Sequence, residues 1–177
     1  MSPGDTAGAE LGARQVIRWA RPGDVAAIAR MIRALADYER LAHLAVASDA
    51  DIERALFGPR LFAEVLIAEV EGEPAGFALF FHNFSTFLGK PGLWLEDLFV
   101  MPSKRRRGLG RALLRTLAAV ARERGCGRFE WAVLDWNAPA IAFYESLGAT
   151  VLPDWRVVRV VGPALASLAD GTAAPAR

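Results

Sequence analysis

The spacing of apolar residues predicts two helices in the first third of the chain. The first begins with Asp24 as its N-cap, ends near residues 38–40, and carries apolar residues at three- and four-residue intervals: Val25, Ile28, Ile32 and Leu35. In the second, Ser48 and Asp51 resemble a capping box, and Gly58-Pro59 ends the helix. Each helix therefore has one apolar face that must pack against another layer of the structure.

Two more helices are predicted in the second half of the chain. The third ends at Gly125, and it presents four apolar residues to the core: Leu113, Leu117, Val120 and Ala121. The fourth begins at residues 137–139 and runs to about Leu147, with Gly148 as a natural stop.

Seven segments read as strands because they combine apolar, β-branched and aromatic residues between turn signals. They are residues 15–20, 64–70, 75–81, 94–100, 128–134, 149–152 and 155–160. The order βααβββαβαββ predicts an α/β fold, with a mixed sheet and helices on both faces. We expect one domain over residues 14–162, flanked by flexible tails at residues 1–13 and 163–177.

Composition narrows the classes of function. With 177 residues, 53% of them hydrophobic, the chain can bury a sizeable core. Its net charge of +1 argues against a nucleic-acid partner, and no apolar run is long enough to cross a membrane. The N-terminal stretch lacks the layout of a signal peptide. A single cysteine, Cys126, excludes an intrachain disulfide and fits a cytoplasmic location, and with only two histidines we expect no metal.

A basic, glycine-spaced turn follows the strand at residues 94–100 and leads directly into the third helix. It reads Arg105-x-x-Gly108-x-Gly110. Bare backbone N–H groups and the helix dipole both favour an anion at such a turn. A Walker loop does not fit, because Gly110 lacks the following Lys-Ser/Thr, and a dinucleotide fingerprint does not fit, because Leu113 stands where a small residue is needed. A helix-capping turn beside a solvated basic run remains the plain alternative.

The turn, placed after a strand that carries Glu96 and Asp97, resembles the pyrophosphate loop of the GNAT acetyltransferases. A second motif agrees: Asn137 followed by a helix with Phe143-Tyr144 and then Gly148-Ala149 is typical of that superfamily. The words Leu-Glu-Asp-Leu-Phe-Val at residues 95–100 and Asp-Trp-Asn at 135–137 are similar to the diamine and thialysine acetyltransferase branch. On spacing alone, Tyr144 could equally be an ordinary residue of an amphipathic helix.

The resemblance implies the GNAT fold and an N-acetyltransferase. Its members move the acetyl group of acetyl-CoA to a primary amine by direct attack in a ternary complex. Here the acceptor would be a small molecule, either a thialysine-like amino acid or a diamine or polyamine. The resemblance also implies a homodimer. A protein or peptide acetyltransferase, and a CoA-binding module without catalysis, are the alternatives.

The same resemblance assigns roles to residues. Glu96 would be the general base, or only a contact for the charged substrate, and Tyr144 would be the general acid for the leaving thiolate. Backbone N–H groups of the strand, around Phe99 and Val100, would donate to the oxyanion. Residues implied to bind the cofactor are Leu98, Phe99, Val100, Arg105, Arg106, Arg107, Gly108, Leu109, Gly110, Arg111, Asn137 and Ala140. Residues implied to bind the amine are Tyr38, Glu39, Ser85, Glu96 and Trp131.

Two positions depart from the pattern of the branch. Arg106 stands where glycine usually follows the first arginine, so the backbone is less free there, although the arginine side chains could add phosphate contacts. Ser85 stands where polyamine-type members carry an acid, which favours a short amino acid with a side-chain amine over a long polycation.

Overall fold

Six strands form one sheet at the centre of the first of two compact units. The computed structural model describes residues 9–10 and 15–172, and it divides the chain into Met1–Ala132 and Val133–Arg177. The strands of the first unit are β1 (Ala9–Glu10), β2 (Gln15–Trp19), β3 (Glu64–Val70), β4 (Glu73–Ser85), β5 (Lys90–Val100) and β6 (Arg128–Trp131). They lie in the order β1-β2-β3-β4-β5-β6, and each neighbouring pair is antiparallel except β5 and β6. The predicted mixed sheet is confirmed.

Among the described residues, three α-helices belong to the first unit and two to the second. The first three are α1 (Val25–Tyr38), α2 (Asp49–Phe57) and α3 (Leu109–Glu123); the other two are α4 (Ala138–Glu145) and α5 (Gly162–Ala169). Short 3-10 turns occupy Pro22–Asp24, Ala42–Leu44 and Pro102–Lys104.

Helices cover both faces of the sheet, as the sequence predicts. Helices α1 and α2 share one buried cluster with strand residues Val65, Ile67, Phe77 and Phe99. Because side chains alternate along a strand, the buried residues between them face the other way, towards α3, which contacts β2 through β6. All four predicted core residues of α3 are buried there. Full burial of a leucine such as Leu113 or Leu117 stabilises the fold by about 2 kcal/mol.

The capping predictions have different outcomes. The Ser48–Asp51 box is confirmed, since the Ser48 hydroxyl accepts from the Asp51 N–H at 3.2 Å and Asp51 accepts from the Ser48 N–H at 3.0 Å. Asp24 precedes α1 but does not cap it with its side chain. Its buried carboxylate accepts instead from the Arg18 guanidinium and from the Arg21 N–H at 2.7 Å, and the Arg18 hydrogen bonds hold the pKa of Asp24 below its usual range. Ion pairing of a buried acid outweighs capping here.

The hairpins are longer than the sequence predicts. Strands β3 and β4 meet at a two-residue turn in which Glu71 and Gly72 have φ of 57° and 81°, the positive values that a type I′ turn requires. Strand β4 then runs to Ser85 and β5 begins at Lys90, so most of residues 82–92, which lie between two of the predicted strands, are paired as well.

The second unit differs most from the sequence-based expectation. Among residues 133–172 no strand forms, so the predicted strands at 149–152 and 155–160 are wrong, and the strand predicted over 128–134 ends at Trp131. A strand is stable only when it pairs with a neighbour, and no described strand pairs with these segments. The apolar side chains of residues 151–161 are exposed. Helix α5, Gly162–Ala169, lies almost entirely in the predicted C-terminal tail. Of the predicted tails, residues 1–8, 11–13 and 173–177 lie outside the described part, and Ala9–Glu10 pair with β2.

Candidate active site

A β-bulge places Glu96 at the centre of the site. Along β4 and β5, Leu79 pairs with Asp97 and Phe80 pairs with Leu95, so Glu96 is an extra residue with no partner in that ladder. A bulge of this kind bends the strand and re-aims its side chains. The strand therefore changes direction at its first acidic residue.

Strand β6 ends beside the same point. Its parallel pairing with β5 runs from Gly92–Arg128 to Leu95–Trp131, and beyond Leu95 the described residues pair β5 with β4 alone. The second half of β5 therefore has one edge that no other described strand covers.

Two backbone N–H groups face that open edge. The Met101 N–H donates to the Ala75 carbonyl at 2.9 Å, and this bond shows which residues at the end of β5 direct their backbone N–H groups towards β4. By alternation, the N–H of Phe99 belongs to the ladder with β4, whereas those of Leu98 and Val100 point outwards. The backbone N–H that the resemblance implies as a donor at Phe99 therefore belongs to the sheet, and the Phe99 ring packs in the core, where the residue is 3% exposed. An edge of this kind can pair with an extended, amide-containing ligand.

The carboxyl group of Asp97, next to the bulge, is influenced by two other carboxylates. Burial, together with the charges of Glu96 and Glu39, raises the pKa of Asp97 from 3.8 to about 6. Glu39 follows the last turn of α1, and burial raises the pKa of its carboxyl as well. This part of the site is therefore acidic, and it favours a positively charged group nearby.

Aromatic side chains accompany the acids. The indole Nε1–H of Trp94 donates to a carboxylate oxygen of Glu96 at 2.9 Å. Trp131 is half-buried at the end of β6, in register with Leu95, and its ring lies 4.9 Å from that of Phe129. Trp131 thus lies next to the bulge, as its predicted role in binding the amine requires.

The glycine-spaced turn leads into α3 with an unusual backbone. Arg106 has φ of 61° and Gly108, the N-cap, has φ of 81°, so both are left-handed. Glycine adopts this conformation without strain, but arginine does not. Position 106 is the one where the resembling branch has glycine, and the structure confirms that the backbone there calls for it.

The N-terminus of α3 is open to a ligand. Gly108 has no side chain with which to cap the helix, and the first helical hydrogen bond is from the Ala112 N–H to the Gly108 carbonyl. The N–H groups of Leu109, Gly110 and Arg111 precede it and have no partner within the helix. The side chains of Arg106, Arg107 and Arg111 are exposed around this turn.

Arg105 behaves differently from the other arginines of the turn. Its Nε–H donates to the Val100 carbonyl at 2.9 Å, and its guanidinium carbon lies 4.8 Å from the ring centre of Tyr38. The turn is therefore joined to both β5 and the end of α1.

Ser85 lies apart from this group. It ends β4 and is buried, and its hydroxyl accepts from the Leu88 N–H at 3.3 Å, which stabilises the hairpin turn. Five residues of strand separate Ser85 from Phe80, the position opposite the bulge, which is about 17 Å of extended chain. Within this chain the structure does not bring Ser85 to the acids.

The second unit holds the remaining predicted residues. Asn137 is the N-cap of α4, and its side-chain oxygen accepts from the Ala140 N–H at 3.4 Å. Its implied contact with the cofactor stays a prediction. Tyr144 lies in the last turn of α4, half-buried, with its ring 5.5 Å from that of Phe143.

Asp97 and Trp94 are candidate site residues that the sequence reasoning did not assign. An aspartate in the interior of an otherwise apolar strand is disfavoured, and that is the signal that could have drawn attention to Asp97. Nothing in the sequence pointed to the hydrogen bond from Trp94. In the described residues, no helix is long and apolar enough to cross a membrane, and no group of His, Cys, Asp or Glu could hold a metal ion.

Comparison with known proteins agrees with the geometry. Residues 28–149 match the model of the acetyltransferase (GNAT) family. The chain is 38% identical to a thialysine N-epsilon-acetyltransferase of Sus scrofa, covering 87% of this chain and 96% of that protein. It is 34% identical to the L-ornithine N5-acetyltransferase NATA1 of Arabidopsis thaliana, covering 86% of each.

The fold comparison points the same way. An integron cassette protein from the mobile metagenome of V. cholerae superimposes with a TM-score of 0.76 at 26% identity, covering 89% of this chain and 99% of that one. The predicted fold and enzyme class are therefore confirmed: the chain belongs to the GNAT family and is an N-acetyltransferase.

Proposed function

We propose that this chain moves the acetyl group of acetyl-CoA to the primary amine of a small molecule, by direct attack of the amine in a ternary complex. The observation that carries the proposal is the bulge at Glu96, located where β6 ends beside β5. There, acidic side chains and outward-facing backbone N–H groups lie within a few residues of one another. An amine acceptor and a thioester donor need these two kinds of group.

Acetyl-CoA fits the hydrogen-bond donors that the first unit offers. Its pantetheine carries amides, which suit the open edge of β5 at Leu98 and Val100, and its phosphates suit the uncapped start of α3 and the exposed arginines. An N–H at the strand edge would stabilise the charge that develops on the thioester oxygen. When bound, acetyl-CoA supplies the activated acyl group, and this chain supplies the donors that orient it.

Either of two carboxyl groups at the bulge can take a proton from the incoming ammonium. Glu96 is the base that the family resemblance implies, and the indole of Trp94 orients it. Asp97 has its pKa raised to about 6 by burial and by its acidic neighbours, which makes it a better match for proton transfer near neutral pH. Tyr144 is carried over from the resemblance as the proton donor to the leaving thiolate.

For the acceptor, we propose an amino acid with a side-chain primary amine ahead of a diamine. The relatives named for thialysine and for ornithine act on such amino acids, and this chain aligns with nearly all of the thialysine enzyme. Glu39, Glu96 and Asp97 would attract the ammonium group. A diamine is the runner-up, because a protein named spermidine/spermine N(1)-acetyltransferase-like is 31% identical over 153 residues.

A thiol-release assay tests the proposal. Purified protein with acetyl-CoA is offered thialysine, ornithine, lysine, spermidine, a short diamine and an N-terminal peptide, with acceptor-free samples as the control. We expect turnover with at least one amino acid that carries a side-chain amine. Double-reciprocal plots of the initial rates, taken at several concentrations of the second substrate, should give intersecting lines, as a ternary complex requires. Parallel lines would indicate a covalent acyl-enzyme instead of direct attack. Turnover with the peptide alone would favour a protein acetyltransferase, and CoA binding without any turnover would favour a regulatory module. A cytoplasmic homodimer remains a prediction.

A further inference from the structure

The clearest unexplained contact in the first unit is that of Arg105, which the sequence assigns to the cofactor. We propose that Arg105 is a positioning residue that couples the glycine-spaced turn to the end of α1 that is predicted to bind the amine. In this proposal Arg105 is not a ligand of the phosphates. The inference rests on the proposed function, since it concerns how the same site is assembled.

The side chain returns to the strand that the turn has just left. Arg105 closes the 3-10 turn with an extended backbone, φ −66° and ψ 167°, and its Nε–H donates to the Val100 carbonyl at 2.9 Å. Val100 is one of the two residues whose backbone polar groups face the open edge of β5. Arg105 therefore binds the carbonyl group of Val100, whose N–H is proposed to contact acetyl-CoA. This hydrogen bond fixes the orientation of that part of the edge.

Two aromatic rings hold the guanidinium. Its central carbon lies 4.8 Å from the ring centre of Tyr38 and 5.6 Å from that of Phe99, both within the range of cation–π contacts. Phe99 is part of the buried core, whereas Tyr38 is 40% exposed and precedes Glu39. The core thus fixes one side of the arginine, and the arginine in turn supports the end of α1.

Only arginine can make this set of contacts. Lysine keeps the charge but lacks both the Nε–H beside the stem and the flat face that stacks on a ring. If the charge near a phosphate were all that mattered, Arg105→Lys would be a mild change. If position matters, Arg105→Lys loosens β5 and α1 together.

The test compares Arg105→Lys with Arg115→Lys, which alters an exposed arginine of α3 that is not among the predicted site residues. We expect Arg105→Lys to raise the KM for the amine and lower kcat by about 5- to 20-fold, as loss of the stacking and hydrogen-bond contacts implies. Affinity for CoA alone, measured by calorimetry, is expected to change by less than about 2-fold. Arg115→Lys is expected to match the wild type in all three quantities.

A double-mutant cycle isolates the coupling. Tyr38→Phe keeps the ring, so Arg105→Lys should cost as much in that background as in the wild type. Tyr38→Leu removes the ring, so the second substitution should then cost clearly less. A loss of CoA affinity with an unchanged amine KM, or additive effects with Tyr38→Leu, would overturn the proposal. A wild-type protein that binds no CoA or acetylates no amine would instead contradict the proposed function, before any variant is compared. Thermal unfolding of every variant separates these results from loss of the fold.

Discussion

The indole N–H of Trp94 donates a hydrogen bond to the carboxylate of Glu96, two residues further along β5, at 2.9 Å. The two residues lie on either side of Leu95, the last position at which β5 pairs with β6. A tryptophan thus fixes the acidic group at the point where the sheet opens. Ordering of a base by a neighbouring donor is a common requirement of proton transfer.

Loss of this hydrogen bond should affect the amine and not the acetyl donor. Trp94→Phe keeps an aromatic ring but removes the donor, so the Glu96 carboxylate is free to rotate. We expect kcat/KM for the amine to fall about 5-fold, the equivalent of one hydrogen bond of about 1 kcal/mol. The KM for acetyl-CoA should stay constant in steady-state assays. If Trp94→Phe lowers activity by the same factor in a Glu96→Ala background, which has no side-chain acceptor at position 96, the loss of the indole ring and not of the hydrogen bond is responsible.

Asp97 should make the protein less stable as the pH rises. Its carboxyl has a pKa of about 6 when folded, against an ordinary value of 3.8. Below pH 3.8 the carboxyl is protonated in both the folded and the unfolded state, and its contribution to the free energy of unfolding is fully present. That contribution is lost as the pH rises through 6. Asp97→Asn removes the charge, so its free energy of unfolding at pH 7.5 should exceed that of the wild type by about 1 to 3 kcal/mol. At pH 4 the two proteins should differ little.

Urea unfolding at both pH values measures this difference. Asp37→Asn, which alters an exposed carboxylate on α1, serves as the control and should change stability by less than about 0.5 kcal/mol. A stability gain for Asp97→Asn that is equal at pH 4 and pH 7.5 would show that something other than the charge is responsible. We also expect Asp97→Asn to lower turnover, since a group kept at a cost in stability commonly serves the site.

Arg106 should be replaceable by glycine with a gain in stability. Its φ of 61° is a left-handed value that glycine adopts freely, so Arg106→Gly should raise the free energy of unfolding by about 0.5 to 1 kcal/mol. Arg107→Gly changes the next residue, which does not have a positive φ, and should lower stability by a similar amount. Thermal unfolding with both variants checks the opposite signs. Equal destabilisation by both substitutions would contradict the left-handed backbone at position 106.

Tyr144→Phe tests the leaving-group acid. The substitution keeps the ring that packs beside Phe143 and removes only the hydroxyl group. We expect kcat to fall at least about 100-fold, with the midpoint of thermal unfolding nearly unchanged. Full activity would remove Tyr144 from the mechanism, whereas an equal loss of activity and stability would show that the hydroxyl has a structural role.

Local signals predicted most of the first unit. The apolar spacing of α1 and α3 and the Ser48–Asp51 box depend on neighbours in sequence, and the structure confirms them. The bulge at Glu96 was not predictable, because the register of β5 against β4 depends on a partner strand that is distant in the pattern. The same limit explains Ser85, which the family resemblance assigned to the substrate, whereas in the structure its hydroxyl accepts from a backbone N–H of the hairpin turn.

The segment at residues 149–160 shows the opposite error. Its valines and tryptophan have high strand propensity, but propensity describes a side chain that fits a paired, half-buried surface. In the described chain these residues have no ladder, and Trp155, Val157 and Val158 are largely exposed. Periodicity alone thus identifies residues suited to a strand without identifying the neighbour that would complete it.

The extra residue at position 96 divides β5 into two halves with different tolerance to sequence change. Up to the bulge, the identity of each side chain matters, since Trp94 and Glu96 act through their functional groups. At Leu98 and Val100 the proposed contacts come from the peptide backbone, so many apolar side chains would serve there, whereas proline, which has no N–H, would not. Drift among relatives should therefore leave the second half of the strand variable in side chain and closed to imino acids.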